Sequence, residues 1–159
     1  QAEKIFRIGF EKIIINSLII KNINILENFI KTFGKQAIIV SLDFRKNFFG
    51  KYTVYSNSGN HNTKITLQNY VSKVARIGCG EILLNDIDRE GTWKGLNIEL
   101  TKQITQRLDI PIIIHGGACS NEDVIKAFHH SGASAVGVGN MVVYQKKDMG
   151  VLINYSKLF

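Results

Sequence analysis

Three stretches of the chain share one frame. RIGFEKIIINS (7–17) and RIGCGEILLND (76–86) align without a gap, and HSGASAVGVGN (130–140) follows the same layout. Each runs from a helix end at glycine through a short turn into an aliphatic strand. Each then closes on Asn or Gly with a polar neighbour. Gly9, Gly78 and Gly132 hold the position just past the helix, where a left-handed backbone stops it. A helix–strand module used this often confines the chain to alternating α and β elements. Repetition also favours a closed, pseudo-symmetric arrangement over an open sheet.

The rest of the chain obeys the same rhythm. Strand-length apolar runs stand at KIIIN (12–16), AIIVSLD (37–43), EILLND (81–86), PIIIH (111–115) and SAVGVG (134–139). Between them NILENFIKTF (24–33), LQNYVSKVARIG (67–78), NIELTKQITQRL (97–108) and NEDVIKAFHHSG (121–132) space their apolar residues as amphipathic helices do. The chain opens inside another such helix, AEKIFRIG. Apolar runs without polar alternation predict strands buried on both faces, the habit of parallel sheets and barrels. The fold expected is α/β, a (βα)8 barrel. Five strands in 159 residues are too few for one, since eight require about 250 residues. Either the chain is an unusual small α/β protein, or a piece of roughly three βα units, about 90 residues by that scale, belongs before Gln1, with strands one to three in it; the missing piece is the expectation. Residues 1–159 then form one partial barrel domain.

Composition narrows the function classes. Hydrophobic residues make up 45% of the chain, enough for a real core. No apolar run approaches the roughly 20 residues of a membrane helix, and no signal-peptide pattern is present. Cys79 and Cys119 form no disulfide framework, which suits a cytoplasmic protein with structural thiols. The net charge of +7 comes from scattered lysines and arginines. Without a basic run or interleaved aromatics, a solvated surface explains it better than nucleic-acid binding; attraction of phosphorylated metabolites is the other reading.

In such a barrel the reactive groups sit where strands run into the following loops. Those positions hold Asn16 and Ser17, Asp43 with Arg45, Asn85, Asp86 and Asp88 to Thr92, His115 with Gly116 and Gly117, and Gly139 with Asn140. Asp43 ends an apolar strand before a long loop, as a general acid or base or as a carboxylate capping the rim. The run D-x-D-x-E-G at Asp86, Asp88 and Glu90 mimics half of a calcium loop, but Asn97 stands where a bidentate Glu is needed. Nor do His61, His115, His129 and His130 have metal-ligand spacing. No metal or cofactor is expected. Gly91, Gly116, Gly117 and Gly139 follow three different strands, the last loops among them, and predict backbone approach to a phosphate. The loop SNSGNHNT (56–63) reads as a hairpin or lid, or as an ordinary surface loop. Lys12 and Glu81 hold the same place in the repeat, at strand starts, either paired at the barrel floor or pointing outward.

GCGEILLNDIDREGTWKG resembles the segment G-A-G-E-I-L-L-T-S-I-D-R-D-G-T of the cyclase subunit of imidazole glycerol phosphate synthase. IIIHGGA, EKIIINS, AIIVSLD and the SG..NT element also match that family in order, so the likeness spans the chain. The resemblance implies an ammonia-dependent ring closure, a lyase step of histidine biosynthesis. A glutaminase partner supplies the ammonia, and the substrate is a phosphorylated ribulosyl-aminoimidazole compound. Two aspartates serve as acid and base; Asp43 matches one, and the other belongs to strand one. Asn16 and Ser17 match residues for one substrate phosphate, and Gly91, Gly117 and Asn140 residues for the other. Ser58 and Gly59 match the substrate-side loop. Lys12 and Glu81 match half of a charged ring through which ammonia enters.

Departures gather at the mouth. Asn85 stands for the usual Thr, Asp86 for Ser, Glu90 for Asp, His115 for a small residue and Asn140 for Ser. With FFGKYTVY and the ending VLINY, they are similar to a paralogous branch that delivers ammonia for amidating a surface-polysaccharide sugar. A third possibility is an inactive fragment or scaffold that binds a glutaminase without chemistry. A related sugar-phosphate isomerase barrel would lack a use for the Lys12/Glu81 pair.

Overall fold

A computed structural model describes residues 1–144 and Gly150. The VLINY ending therefore lies outside the described residues. The chain divides into two compact units at Leu83/Leu84, within one strand.

The first unit contains α1 (Ala2–Arg7), β1 (Ile13–Ile15), α2 (Ser17–Lys21), α3 (Asn24–Phe33), β2 (Ile38–Lys46), β3 (Tyr52–Ser56), β4 (His61–Thr66) and α4 (Leu67–Ile77). The start of β5 (Glu81–Asp86) completes it. β1 runs parallel to β2, with Ile15 opposite Val40, as expected of strands joined through a helix. β2 is buried from Ile38 to Phe44. α4 turns Leu67, Tyr70, Val71 and Val74 inward, one stripe at helical spacing. Gly78 ends that helix in the left-handed conformation, as the repeat frame requires. The buried Tyr70 hydroxyl donates to the Ile19 carbonyl at 3.0 Å, joining α4 to α2. Burial pushes its pKa up to about 12.

The second unit takes the end of β5 and adds α5 (Ile98–Thr105), β6 (Ile112–His115), α6 (Asn121–Ser131), β7 (Ala135–Val136) and α7 (Asn140–Val143). β6 and β7 are parallel, with Ile113 opposite Ala135. Leu96, Ile114, Ala118, Ala127 and Ala133 form the core, with Ile98, Val136, Val138 and Met141 packed against it. Ser120 caps α6, its hydroxyl accepting from the Asp123 amide at 3.2 Å, and Gly132 ends that helix left-handed.

Four expectations need correction. Burial on both faces holds for β2 but not for β5 or β6, whose residues alternate between buried and half-buried. Helices cover one face of those strands, and the other carries the polar Glu81, Asn85 and His115. Next, β2 does not stop at Asp43. It continues to Lys46 because β3 returns antiparallel, with Asp43 opposite Tyr55, and the long loop is a hairpin. A helix at Ser17–Lys21 was not legible, being too short to show a period. Finally, α5 covers Ile98–Thr105 rather than 97–108. Asn97 is held outside the helix by its side chain, which reaches Asp86, and Arg107 bonds Ile104 in a tightened last turn.

Candidate functional site

In the first unit the structure brings Ser17 to the hairpin tip that also holds Ser58 and Gly59. Ser17 Oγ accepts the Asn57 amide at 2.9 Å, so the end of β1 is tied to the β3–β4 hairpin tip. That tip is unusual in its backbone. Asn57, Ser58 and Gly59 all have positive φ, two of them carrying side chains. Such strain persists where surrounding contacts enforce it and gathers at ligand sites. Asp43 lies further along β2. Ile15 pairs with Val40, which puts Asn16 beside Ser41 and Asp43 two residues beyond, on the same pleat face as Ser41. Asp43 is buried, 7% exposed.

At the other end of the strands, Lys12 Nζ donates to Glu81 Oε1. Of the two orientations open to these residues, the structure adopts the paired one. Cys79 is buried beside them, its Sγ 3.3 Å from the Glu81 carbonyl, and desolvation pushes the thiol up to about 12. That makes it a structural sulfur, unreactive near neutral pH.

In the second unit, the loop after β5 is folded back on itself. Asp86 points inward and is 3% exposed. It accepts from Asn97 Nδ2 at 2.7 Å and faces Arg89 Nε at 3.5 Å. The Arg89 guanidinium also donates to the Gly95 carbonyl at 2.9 Å, closing residues 86–95 into a tight lobe. The three carboxylates therefore do not converge as a cation loop would need. Glu90 instead meets Asn85, whose Nδ2 donates to it at 3.4 Å, and Asn85 Oδ1 lies 2.9 Å from His115 Nδ1.

Burial holds the Asp86 carboxyl above its ordinary 3.8, with the Asn97 bond and Arg89 opposing the shift. A raised folded pKa gives stability that is complete below the unfolded value and lost as pH rises through the folded one. The stability of the parent relative to Asp86→Asn should therefore fall as pH climbs from about 4 and level off above the folded pKa. Urea unfolding across pH checks this; a difference that grows with pH would refute it.

A cavity opens beside this lobe, lined by Glu90, Gly91, Trp93, His115, Gly117, Ala118, Gly137, Gly139 and Asn140. Asn140 Nδ2 donates to the Gly91 carbonyl at 3.3 Å, linking the loops after β5 and β7. Gly117 has φ +93, and a Cβ there would lie 2.7 Å from the Gly95 carbonyl and 2.8 Å from Arg89 Cβ. Gly116 is different. Its Cβ would sit 2.5 Å from the Asp86 carbonyl, so packing on β5 accounts for that glycine.

The repeat frame reappears in this backbone. Asn16 and Gly139 are equivalent in the frame, and they have φ/ψ of −122/−105 and −127/−96. Each immediately precedes a short helix, and Ser17 and Asn140 follow them. Equivalent positions thus build one polar turn in each unit.

Several cavity residues had no signal in the sequence. Trp93 has φ +60 without being glycine. Gly137 makes room for the His115 ring, whose Cδ2 would be 2.5 Å from a Cβ there. The inward turn of Asp86 was missed as well, because adjacent strand residues face opposite ways and Asn85 alone keeps the mouth side.

The sequence matches the family described as "Histidine biosynthesis protein" over residues 1–148. It is 36% identical over 154 residues to a Pseudomonas aeruginosa protein named "Putative imidazole glycerol phosphate synthase subunit hisF2", covering 97% of this chain and 61% of that one. It is 37% identical over 156 residues to a "Putative imidazole glycerol phosphate synthase subunit HisF" of Leptospira borgpetersenii, covering 98% and 61%. An Alkaliphilus metalliredigens "Imidazole glycerol phosphate synthase subunit HisF" is 35% identical over 143 residues, covering 90% and 57%. The chain spans about three fifths of the length of these curated relatives. The family fold is the (βα)8 barrel, and the alternating α/β elements described above are part of one. The chain belongs to the histidine biosynthesis protein family, and its similar relatives there are HisF subunits of imidazole glycerol phosphate synthase.

Proposed function

We propose that the protein carrying this chain is an ammonia-dependent synthase subunit of the imidazole glycerol phosphate synthase type. It is a lyase of histidine biosynthesis that works in the cytoplasm, without a cofactor, beside a glutaminase subunit. The observation that carries this reading is the pair of repeat-equivalent polar turns, Asn16–Ser17 and Gly139–Asn140. A substrate with a phosphate at each end needs two such sites. Asn16, Ser17, Ser58 and Gly59 receive one end, and Gly91, Gly117, Gly139 and Asn140 the other. Backbone amides and neutral amide side chains suit phosphate oxygens because their N–H groups donate at any pH, without a change of protonation state. Asp43 is the acid or base of the reaction. Lys12 and Glu81 gate ammonia, a small polar molecule that a charged pair can admit by parting.

A second reading keeps the glutaminase and changes the acceptor to a sugar. The His115–Asn85 bond favours it, since the family ordinarily has a small residue and Thr there. The test uses the full-length protein with an ammonium salt and the phosphorylated ribulosyl-aminoimidazole substrate. Release of imidazole glycerol phosphate supports the first reading. Failure to turn that substrate over, together with amidation of a sugar substrate, supports the second. A folded protein that binds the glutaminase and transforms neither is the scaffold.

A further inference from the structure

Among the groups of the second unit's cavity that the phosphate reading does not use is a histidine. His115 lines the cavity, and its Nδ1 lies 2.9 Å from Asn85 Oδ1. Asn85 in turn donates to Glu90 Oε2. The direction of this chain follows from chemistry. A carboxylate only accepts, so the Asn85 NH2 must face Glu90 and its carbonyl must face His115. Nδ1 must then carry a hydrogen, whether the ring is neutral or cationic. A Cβ on Gly137, just past β7, would lie 2.5 Å from Cδ2, so this edge of the ring packs close against the Gly137 backbone. The remaining polar edge is Nε2.

We propose that His115, its tautomer set by Glu90 through Asn85, is the donor that this cavity presents to the ligand's phosphate. With a proton on Nε2 the ring supplies one N–H bond and one positive charge. That charge offsets Glu90, whose carboxylate would otherwise repel an anion from the same cavity. Backbone glycines bind any phosphate of the right size, whereas a fixed imidazolium edge adds a bond in one direction. Asn85 and Glu90 are positioning residues, and His115 touches the ligand. The inference rests on the phosphate reading above and deepens it.

The test uses the full-length protein with ¹⁵N-labelled histidine and inorganic phosphate as the probe. His115→Gln identifies the His115 resonances by their loss. The unliganded protein should show the Nδ1–H form, and saturating phosphate should move Nε2 to its protonated position while Nδ1 stays. Glu90→Gln gives Asn85 a partner that donates as well as accepts, so the ring should become a mixture of tautomers. His115→Ala and His115→Gln should each bind phosphate about tenfold more weakly, as loss of a charge-assisted bond predicts. An Nε2–H tautomer in the unliganded protein overturns the proposal, as does an unchanged ring in Glu90→Gln. Phosphate that binds without moving Nε2 overturns it while sparing the phosphate reading. Failure of phosphate to bind removes both.

Discussion

Asp43→Asn in the full-length protein should lower ammonia-dependent turnover by roughly 10²–10⁴-fold, the range of a lost general acid or base. Phosphate-ligand affinity should stay within about threefold, because on this reading the phosphates are held by other residues. The substitution is nearly isosteric and Asp43 is buried on β2 between Leu42 and Phe44, so the fold should survive. Steady-state kinetics with ammonium salt, beside a binding titration, separates the two effects. Turnover within tenfold of the parent would remove Asp43 from the mechanism. A parallel loss of affinity and turnover would make it a binding residue instead.

Gly116→Ala should destabilise the protein by on the order of 3 kcal/mol, combining left-handed strain with a collision against fixed backbone. Gly116 has φ +99, and the added Cβ would lie 2.5 Å from the Asp86 carbonyl, in a strand with nowhere to retreat. In a barrel-sized protein that shift corresponds to a fall in melting temperature of roughly 6–12 °C. Gly139→Ala is the internal control. Nothing lies within 4 Å of its Cβ position, and Asn16 carries a side chain with nearly the same φ and ψ. Its cost should stay below about 1 kcal/mol. Thermal and urea unfolding of the two variants decides the matter. Equal effects would mean that glycine at these sites reflects the ligand alone, and not packing.

These glycines show how far the sequence was readable. That Gly116 and Gly117 both stand after a strand was plain, but which one abuts β5 and which one lines the cavity was not. The neighbours that separate them, Asp86 and Arg89, come from β5 and the loop that follows it. The repeat frame went further. It placed Asn16 with Gly139 and Ser17 with Asn140, and their backbones agree closely. Asp86 misled for a simple reason. Sequence proximity grouped it with Asn85 and Glu90 at the mouth, while the pleat sends it to the buried side.

What the sequence determined by itself is whatever depends on period and on local backbone. The alternation of strands and helices, the left-handed helix stops at Gly78 and Gly132 and the family likeness all follow from neighbours along the chain. Tertiary structure alone decided pairings between distant segments. Lys12 with Glu81, Ser17 with the Asn57 amide, Asn140 with Gly91 and the Glu90–Asn85–His115 chain join residues from different modules. Such contacts depend on strand register and on which face each residue takes. One residue of slip would reverse every face, and no local pattern records that choice.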